Sequence, residues 1–146
     1  MDVDGTLTDG KVYYYSDGSE GKAFDIKDGY GICNILIPSG VIPIVITGRN
    51  SRMVDIRMKE LGVSHVFQGQ VDKLASAKSV IEDFSDCAFI GDDLNDLSLM
   101  NEVHKAGGII GCPSDAAKEV KQIADYISNK NGGDGAVRDF IEWLIL

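Results

Sequence analysis

Basic side chains, cysteine, histidine and long apolar runs are all scarce in this sequence. Fourteen Lys and Arg face 23 Asp and Glu, a net charge of −9. A chain this acidic is a poor partner for nucleic acid or an anionic membrane, because Lys and Arg carry such binding. An anionic substrate would need a metal ion or a local cluster of Lys and Arg. No apolar run approaches the roughly 20 residues of a spanning helix, and Met1-Asp2-Val3-Asp4 shows no signal-peptide pattern. The cysteines, Cys33, Cys87 and Cys112, are odd in number and lack CxxC spacing. They read as reduced thiols of a cytoplasmic protein, and His65 and His104 are too few to complete a Zn site with them. Glu is scarce too, with 6 against 17 Asp. Asp is a weak helix and strand former, so its excess marks turns, caps, or carboxylates held close to the backbone for chemistry.

What is present is the alternation of a single α/β domain over residues 1–146. Val12 to Tyr15 and Lys22 to Ile26 flank Ser16-Asp17-Gly18-Ser19 and predict a β-hairpin. A helix is expected from Asp28, as its cap, to Ile37, ended by Pro38-Ser39-Gly40. The β-branched run Val41 to Ile46 predicts a buried parallel strand. Strands are also expected at 65–67, 87–90, 107–111 and 126–127. Helices are expected at 51–61, 72–84, 94–101, 114–123 (capped by Ser114) and 137–146. Strands alternating with helices mean a parallel sheet covered on both faces, with sites beyond the carboxyl ends of the strands. Almost no strand precedes Asp2, where a central one needs about 5 residues. The first strand is therefore expected to begin upstream of Met1.

Four polar clusters follow predicted strand ends in order: Asp2-x-Asp4-Gly5-Thr6, Thr47-Gly48-Arg49, Lys73, and Gly91-Asp92-Asp93-Leu94-Asn95-Asp96. Each alone is an ordinary turn, cap or solvated residue; together they suit phosphoryl transfer. Carboxylates at Asp2 and Asp92 with the Asp4 carbonyl offer a hard cation, Mg²⁺, oxygen ligands. Lys73 and Thr47 suit phosphate oxygens. One Asp of the first pair can attack phosphorus, and the other, two residues on along an extended chain, can move protons.

These clusters resemble the four motifs of the haloacid dehalogenase (HAD) superfamily of phosphatases. The resemblance implies a Rossmann-like three-layer fold with Asp2 as nucleophile and Asp4 as general acid/base. It also implies Mg²⁺ held by Asp2, Asp4 (through its carbonyl) and Asp92. Thr47 and the Gly48 amide would bind phosphate, Lys73 would neutralise the nucleophile–phosphate pair, and Asp93 and Asp96 would support the metal waters and Lys73. Asp9-Gly10 with the hairpin, Phe24 to Ile32, Phe67 to Lys73 and Gly132 to Arg138 are together similar to the capless 3-deoxy-D-manno-octulosonate 8-phosphate (KDO-8-phosphate) phosphatases. The spacing from Asp4 to Thr47 leaves room for a hairpin flap (about 10–27) and one helix, but no cap domain.

That branch implies a cytoplasmic homotetramer serving lipopolysaccharide biosynthesis. Flaps and C-terminal tails (about 130–146) would cover neighbouring sites. Arg49, Asn95 and Arg138 become substrate-binding candidates, Arg49 for a sugar-acid carboxylate. Arg49 can equally be a surface residue at a helix start, Arg138 a solvated residue of the last helix, and Tyr13-Tyr14-Tyr15 a half-buried strand. Asp134 departs from the branch, where a basic residue is common. Two alternatives stay open: a phosphatase for 9-phosphate nonulosonates, and a non-catalytic oligomerisation domain like that of CMP-sialate synthetases. A signalling receiver domain is excluded, because its Lys comes last whereas Lys73 precedes Asp92.

Overall fold

The computed structural model describes residues 1–146. A hairpin of β1 (Tyr13–Tyr14) and β2 (Glu20–Gly21) is followed by α1 (Ile26–Gly31). The α1 helix runs on through a wider turn at Ile32–Leu36 and a tight one at Ile37–Ser39, ending at Gly40 with φ +87°. Then come β3 (Ile44–Ile46), α2 (Arg52–Glu60), β4 (His65–Phe67), α3 (Lys73–Lys78) and β5 (Ala88–Ile90). A short turn at Leu94–Asp96 leads into α4 (Leu97–Ala106), β6 (Ile109–Cys112), α5 (Lys118–Ile123), β7 (Tyr126–Ile127) and α6 (Ala136–Ile145).

The strands β3 and β4 pair in parallel, as do β5, β6 and β7. Residues 1–2 join the two sets. The Ile46 N–H donates to the Met1 carbonyl (3.0 Å) and the Asp2 N–H to the Ile90 carbonyl (3.0 Å). The chain start thus lies between β3 and β5 and delivers Asp2 to the carboxyl edge. Val3, Ile32, Val54, Met58, Val137 and Phe140 form the core on one face, under α1, α2 and α6. Ile46, Ala77, Phe89, Leu99, Met100 and Val120 form it on the other, under α3, α4 and α5. The result is the expected three-layer parallel fold with a hairpin and no cap. No helix is long and apolar enough to cross a membrane. At the opposite, amino edge, an apolar cavity of about 910 Å³ is lined by Met1 and by Ile44, His65, Ala88 and Ile109, which begin their strands.

Several expected boundaries shift: the second hairpin strand is Glu20–Gly21 rather than 22–26, where Ile26 already begins α1, and the helix expected at 94–101 is Leu97–Ala106. Asp25, not Asp28, caps α1, accepting from the Lys27 and Asp28 N–H groups. Asp28 is buried instead and accepts from the Arg138 N–H (2.8 Å), tying α1 to the start of α6. The expected 72–84 helix stops at Lys78. Ser79 there turns its hydroxyl back onto the Ser76 carbonyl (2.6 Å), competing with the helix ladder. Ser114 does not cap α5, which begins at Lys118; its hydroxyl meets Asn131 instead.

Candidate active site

The four clusters converge at the carboxyl edge of the sheet. Lys73, at the start of α3 where Asp72 caps the helix, is fully buried. Its ammonium donates to Asp2 Oδ1 (2.7 Å) and Asp96 Oδ1 (2.6 Å). The second Asp96 oxygen accepts the N–H groups of Asp92 (3.0 Å) and Asp93 (3.2 Å). Both Asp96 oxygens are committed, so Asp96 fixes Lys73 and the Asp92 loop. Lys73 leaves Asp2 Oδ2 free. Thr6 donates to Asp92 Oδ1 (3.0 Å), a link the sequence reading did not assign.

The carboxylates are too close to all be comfortably charged. Oxygens of Asp2, Asp92 and Asp96 lie within 4.8 Å of one another. Burial first, then repulsion from Asp96, pushes Asp2 up to about 6 against the pull of Lys73. Burial, then Asp2 and Asp96, pushes Asp92 up to about 8. Burial alone would lower Lys73, but Asp2 and Asp96 outweigh it and hold the ammonium above its usual range. Two buried carboxylates and the half-buried Asp92 against one ammonium leave uncompensated negative charge. All-oxygen donors at this spacing suit a hard divalent cation, so the residues present fit Mg²⁺.

Thr47 is buried directly after β3, its N–H donating to the Phe67 carbonyl (2.9 Å) and its carbonyl accepting from Gln70 (3.0 Å). A Cβ on Gly48 would lie 4.0 Å from the exposed Asn95 amide, so Asn95 borders the same mouth. Asp93 caps the turn into α4, accepting from the Leu94 N–H (2.7 Å). Arg49 reaches Glu20 on β2 (2.9 Å), and the Tyr14 hydroxyl and Glu20 hold its guanidinium charged. Arg138 lies apart from the cluster. It pairs with Glu142 (2.6 Å) and sits 5.1 Å over the Tyr30 ring, so within one chain it is a helix-surface residue.

Glycines shape the first loop. Gly5 takes φ +91°, and a Cβ there would fall 2.0 Å from Asp92 Oδ2. The Gly132-Gly133 turn packs directly on it. A Cβ on Gly132 would lie 1.8 Å from the Gly5 carbonyl, and the Gly133 N–H donates to Thr6 (3.1 Å). Thr8 Oγ1 accepts from Gly5 (3.3 Å) and Gly10 (3.2 Å). The Gly132-Gly133 turn thus buttresses its own chain's Asp2–Asp4 loop. Lys22 and Glu20 at the site were also missed by sequence reasoning; no local signal sets them apart from other hairpin charges.

The haloacid dehalogenase-like hydrolase profile matches residues 65–141. The whole chain aligns at 37% identity with 77% of the 3-deoxy-D-manno-octulosonate 8-phosphate phosphatase of Escherichia coli. Among solved structures, the Moraxella catarrhalis enzyme of that name, in complex with magnesium ion, phosphate ion and KDO, superposes with a TM-score of 0.92. It is 45% identical, over 99% of this chain and 82% of that one. The cobalt-bound Haemophilus influenzae phosphatase gives a TM-score of 0.89 at 31% identity, over 98% and 83%. With its carboxylate–lysine cluster at the sheet edge and these likenesses along its full length, the chain belongs to the haloacid dehalogenase-like hydrolases, in the group of the 3-deoxy-D-manno-octulosonate 8-phosphate phosphatases.

Proposed function

We propose that this protein is a Mg²⁺-dependent phosphatase that hydrolyses KDO-8-phosphate to KDO and phosphate. The observation that carries the reading is the buried Asp2–Lys73–Asp96 bridge beside Asp92. The Moraxella relative's complex with magnesium, phosphate and KDO supports both cofactor and substrate. Asp2, Asp92 and the Asp4 carbonyl would hold Mg²⁺, which offsets phosphate charge and polarises the phosphoryl group.

Asp2 Oδ2, the oxygen not engaged by Lys73, attacks phosphorus. The bond from phosphorus to the sugar oxygen breaks, and Asp4 gives that oxygen its proton. Asp4 then takes a proton from water as the water oxygen attacks the aspartyl-phosphate, and phosphate leaves Asp2. Thr47 and the Gly48 N–H hold phosphoryl oxygens, Lys73 neutralises the Asp2–phosphate pair, and Asp93 and Asp96 keep the Asp92 loop in place. Arg49 and Asn95 sit where a sugar acid would enter. A cytoplasmic homotetramer in lipopolysaccharide biosynthesis is the matching setting, with any reach of Arg138 into a site coming from a neighbouring copy.

Phosphate release from KDO-8-phosphate should require Mg²⁺ and vanish in Asp2→Asn. A higher kcat/KM for a 9-phosphate nonulosonate would replace the substrate, and turnover surviving Asp2→Asn would remove the assigned nucleophile. Light scattering in solution checks the tetramer.

A further inference from the structure

Three carboxylates of the site have side-chain tethers from within the sheet's own ends: Asp2 and Asp96 to Lys73, Asp92 to Thr6. Asp4 does not. Its one side-chain partner is the Lys22 ammonium, which forms an ion pair with Oδ1. Lys22 follows β2 directly, so the hairpin brings it. Its side chain is 1% exposed against 22% for Asp4, so this is no solvated surface pair. A two-stranded hairpin with two residue pairs has little stability of its own. Two ionic contacts from the same arm of the hairpin, two positions apart, dock it: Lys22 to Asp4 and Glu20 to Arg49. Tyr15 packs within the hairpin, its ring lying against Gly21.

We propose that Lys22 is a positioning residue for proton transfer: the hairpin delivers its ammonium to Asp4 and fixes that carboxylate toward the leaving oxygen. The inference rests on the phosphatase reading above, with Asp4 as acid and base. An Asp side chain on an exposed loop rotates freely. One tethered through Oδ1 presents Oδ2 in a single direction, where it carries the proton in the acid step and is bare to take one from water in the base step. The tether also couples chemistry to hairpin closure, because an undocked hairpin withdraws Lys22 and leaves Asp4 without a partner.

The test compares Lys22→Met, Lys22→Arg and wild type, with Mg²⁺, on KDO-8-phosphate and on p-nitrophenyl phosphate. The sugar alkoxide must be protonated to leave, whereas p-nitrophenolate leaves as its anion. For Lys22→Met, the single-turnover rate on KDO-8-phosphate should fall about ten- to a hundredfold, less than the roughly hundred- to ten-thousandfold of a whole acid–base group because Asp4 itself remains, with KM little changed. The p-nitrophenolate burst, which reports aspartyl-phosphate formation alone, should stay within about threefold of wild type and be followed by a slowed steady state. Lys22→Arg should recover part of the loss. Unchanged rates for Lys22→Met, an effect confined to KM, or equal losses on both esters in the first step would each overturn the proposal; the last would mark Lys22 as structural. Wild-type protein inert on both esters would instead overturn the phosphatase reading and this role with it.

Discussion

The Lys73 ammonium lies 2.6 Å from the Asp96 carboxylate, both side chains fully buried, and the contact joins the start of α3 to the turn before α4. Asp96 also receives the Asp92 and Asp93 N–H groups, so one carboxylate holds both the lysine and the loop bearing Asp92. Asp96→Asn replaces one acceptor oxygen with a donor facing either an ammonium or two amides. Breaking a buried pair of this kind costs about 3 kcal/mol. The variant should melt well below wild type in thermal denaturation, and its kcat should fall more than tenfold because Lys73 loses its second anchor. Wild-type kcat in Asp96→Asn would refute the linkage.

Metal binding should be visible as a pH-dependent gain in stability. Without a cation, Asp2 and Asp92 titrate at about 6 and about 8, above the ordinary 3.8 of an unfolded carboxyl. The folded state then holds their protons more tightly, so their contribution to stability is full below about pH 4. It is lost as pH rises through about 6 and then about 8. A cation replaces those protons. Mg²⁺ should therefore raise Tm by about 5 °C or more at pH 8 and very little at pH 5. Equal shifts at the two pH values would contradict the assignment of these carboxylates as its ligands.

Glu20 occupies Arg49 in the free protein. If Arg49 receives the substrate carboxylate, that carboxylate must displace Glu20, whose oxygen already sits 2.9 Å from the guanidinium. Both side chains are partly exposed, so the competition is modest. Glu20→Gln should lower KM for the sugar-acid phosphate about two- to fivefold and leave KM for p-nitrophenyl phosphate, which has no carboxylate, unchanged. Arg49→Ala should raise the first KM. A KM unaffected by Glu20→Gln would show that the two carboxylates do not compete.

Asp28 predicts a stability change remote from the chemistry. Burial outweighs the N–H groups of Arg138, Gly135 and Val137 and pushes its carboxyl up to about 6, and one of its oxygens has no partner. Its folded value lies above its unfolded one, so its contribution to stability is full below about pH 4 and is lost as pH rises through about 6. Asp28→Asn keeps an acceptor for the Arg138 N–H and never ionises. The Tm difference between the variant and wild type should move in the variant's favour between pH 4 and pH 7, by an amount on the order of 2 kcal/mol in stability. A difference that stays constant with pH would place the group's ionisation elsewhere.

Several features were determined by the sequence alone. The β-branched run before Thr47 and the short apolar run before Gly91 pointed to buried parallel strands, which carry apolar residues on both faces. Clusters that follow strands must gather at one sheet edge, so the meeting of Asp2, Lys73 and Asp92 was legible. Five of the 17 Asp, at 2, 4, 92, 93 and 96, fall in the first and last clusters, and Asp9 follows the first closely. Local signals failed where partners lie far apart in sequence. Asp28 looked like a cap for its own helix, but it faces the start of α6, 110 positions on. Gly132 looked like loop punctuation, but its missing Cβ is what admits the Gly5 carbonyl.

Tertiary structure alone decided how the site is charged and closed. The number of acidic residues gives the net charge of −9. It does not give the burial and mutual repulsion that push Asp92 up to about 8. Lys22 and Glu20 are hairpin charges like any others until the chain folds β2 over the sheet edge and brings one to Asp4 and the other to Arg49. Spacing along the chain determines which residues can share an edge. Which of them touch, and which are dry enough for the contact to matter, depends on packing between segments that no local pattern encodes.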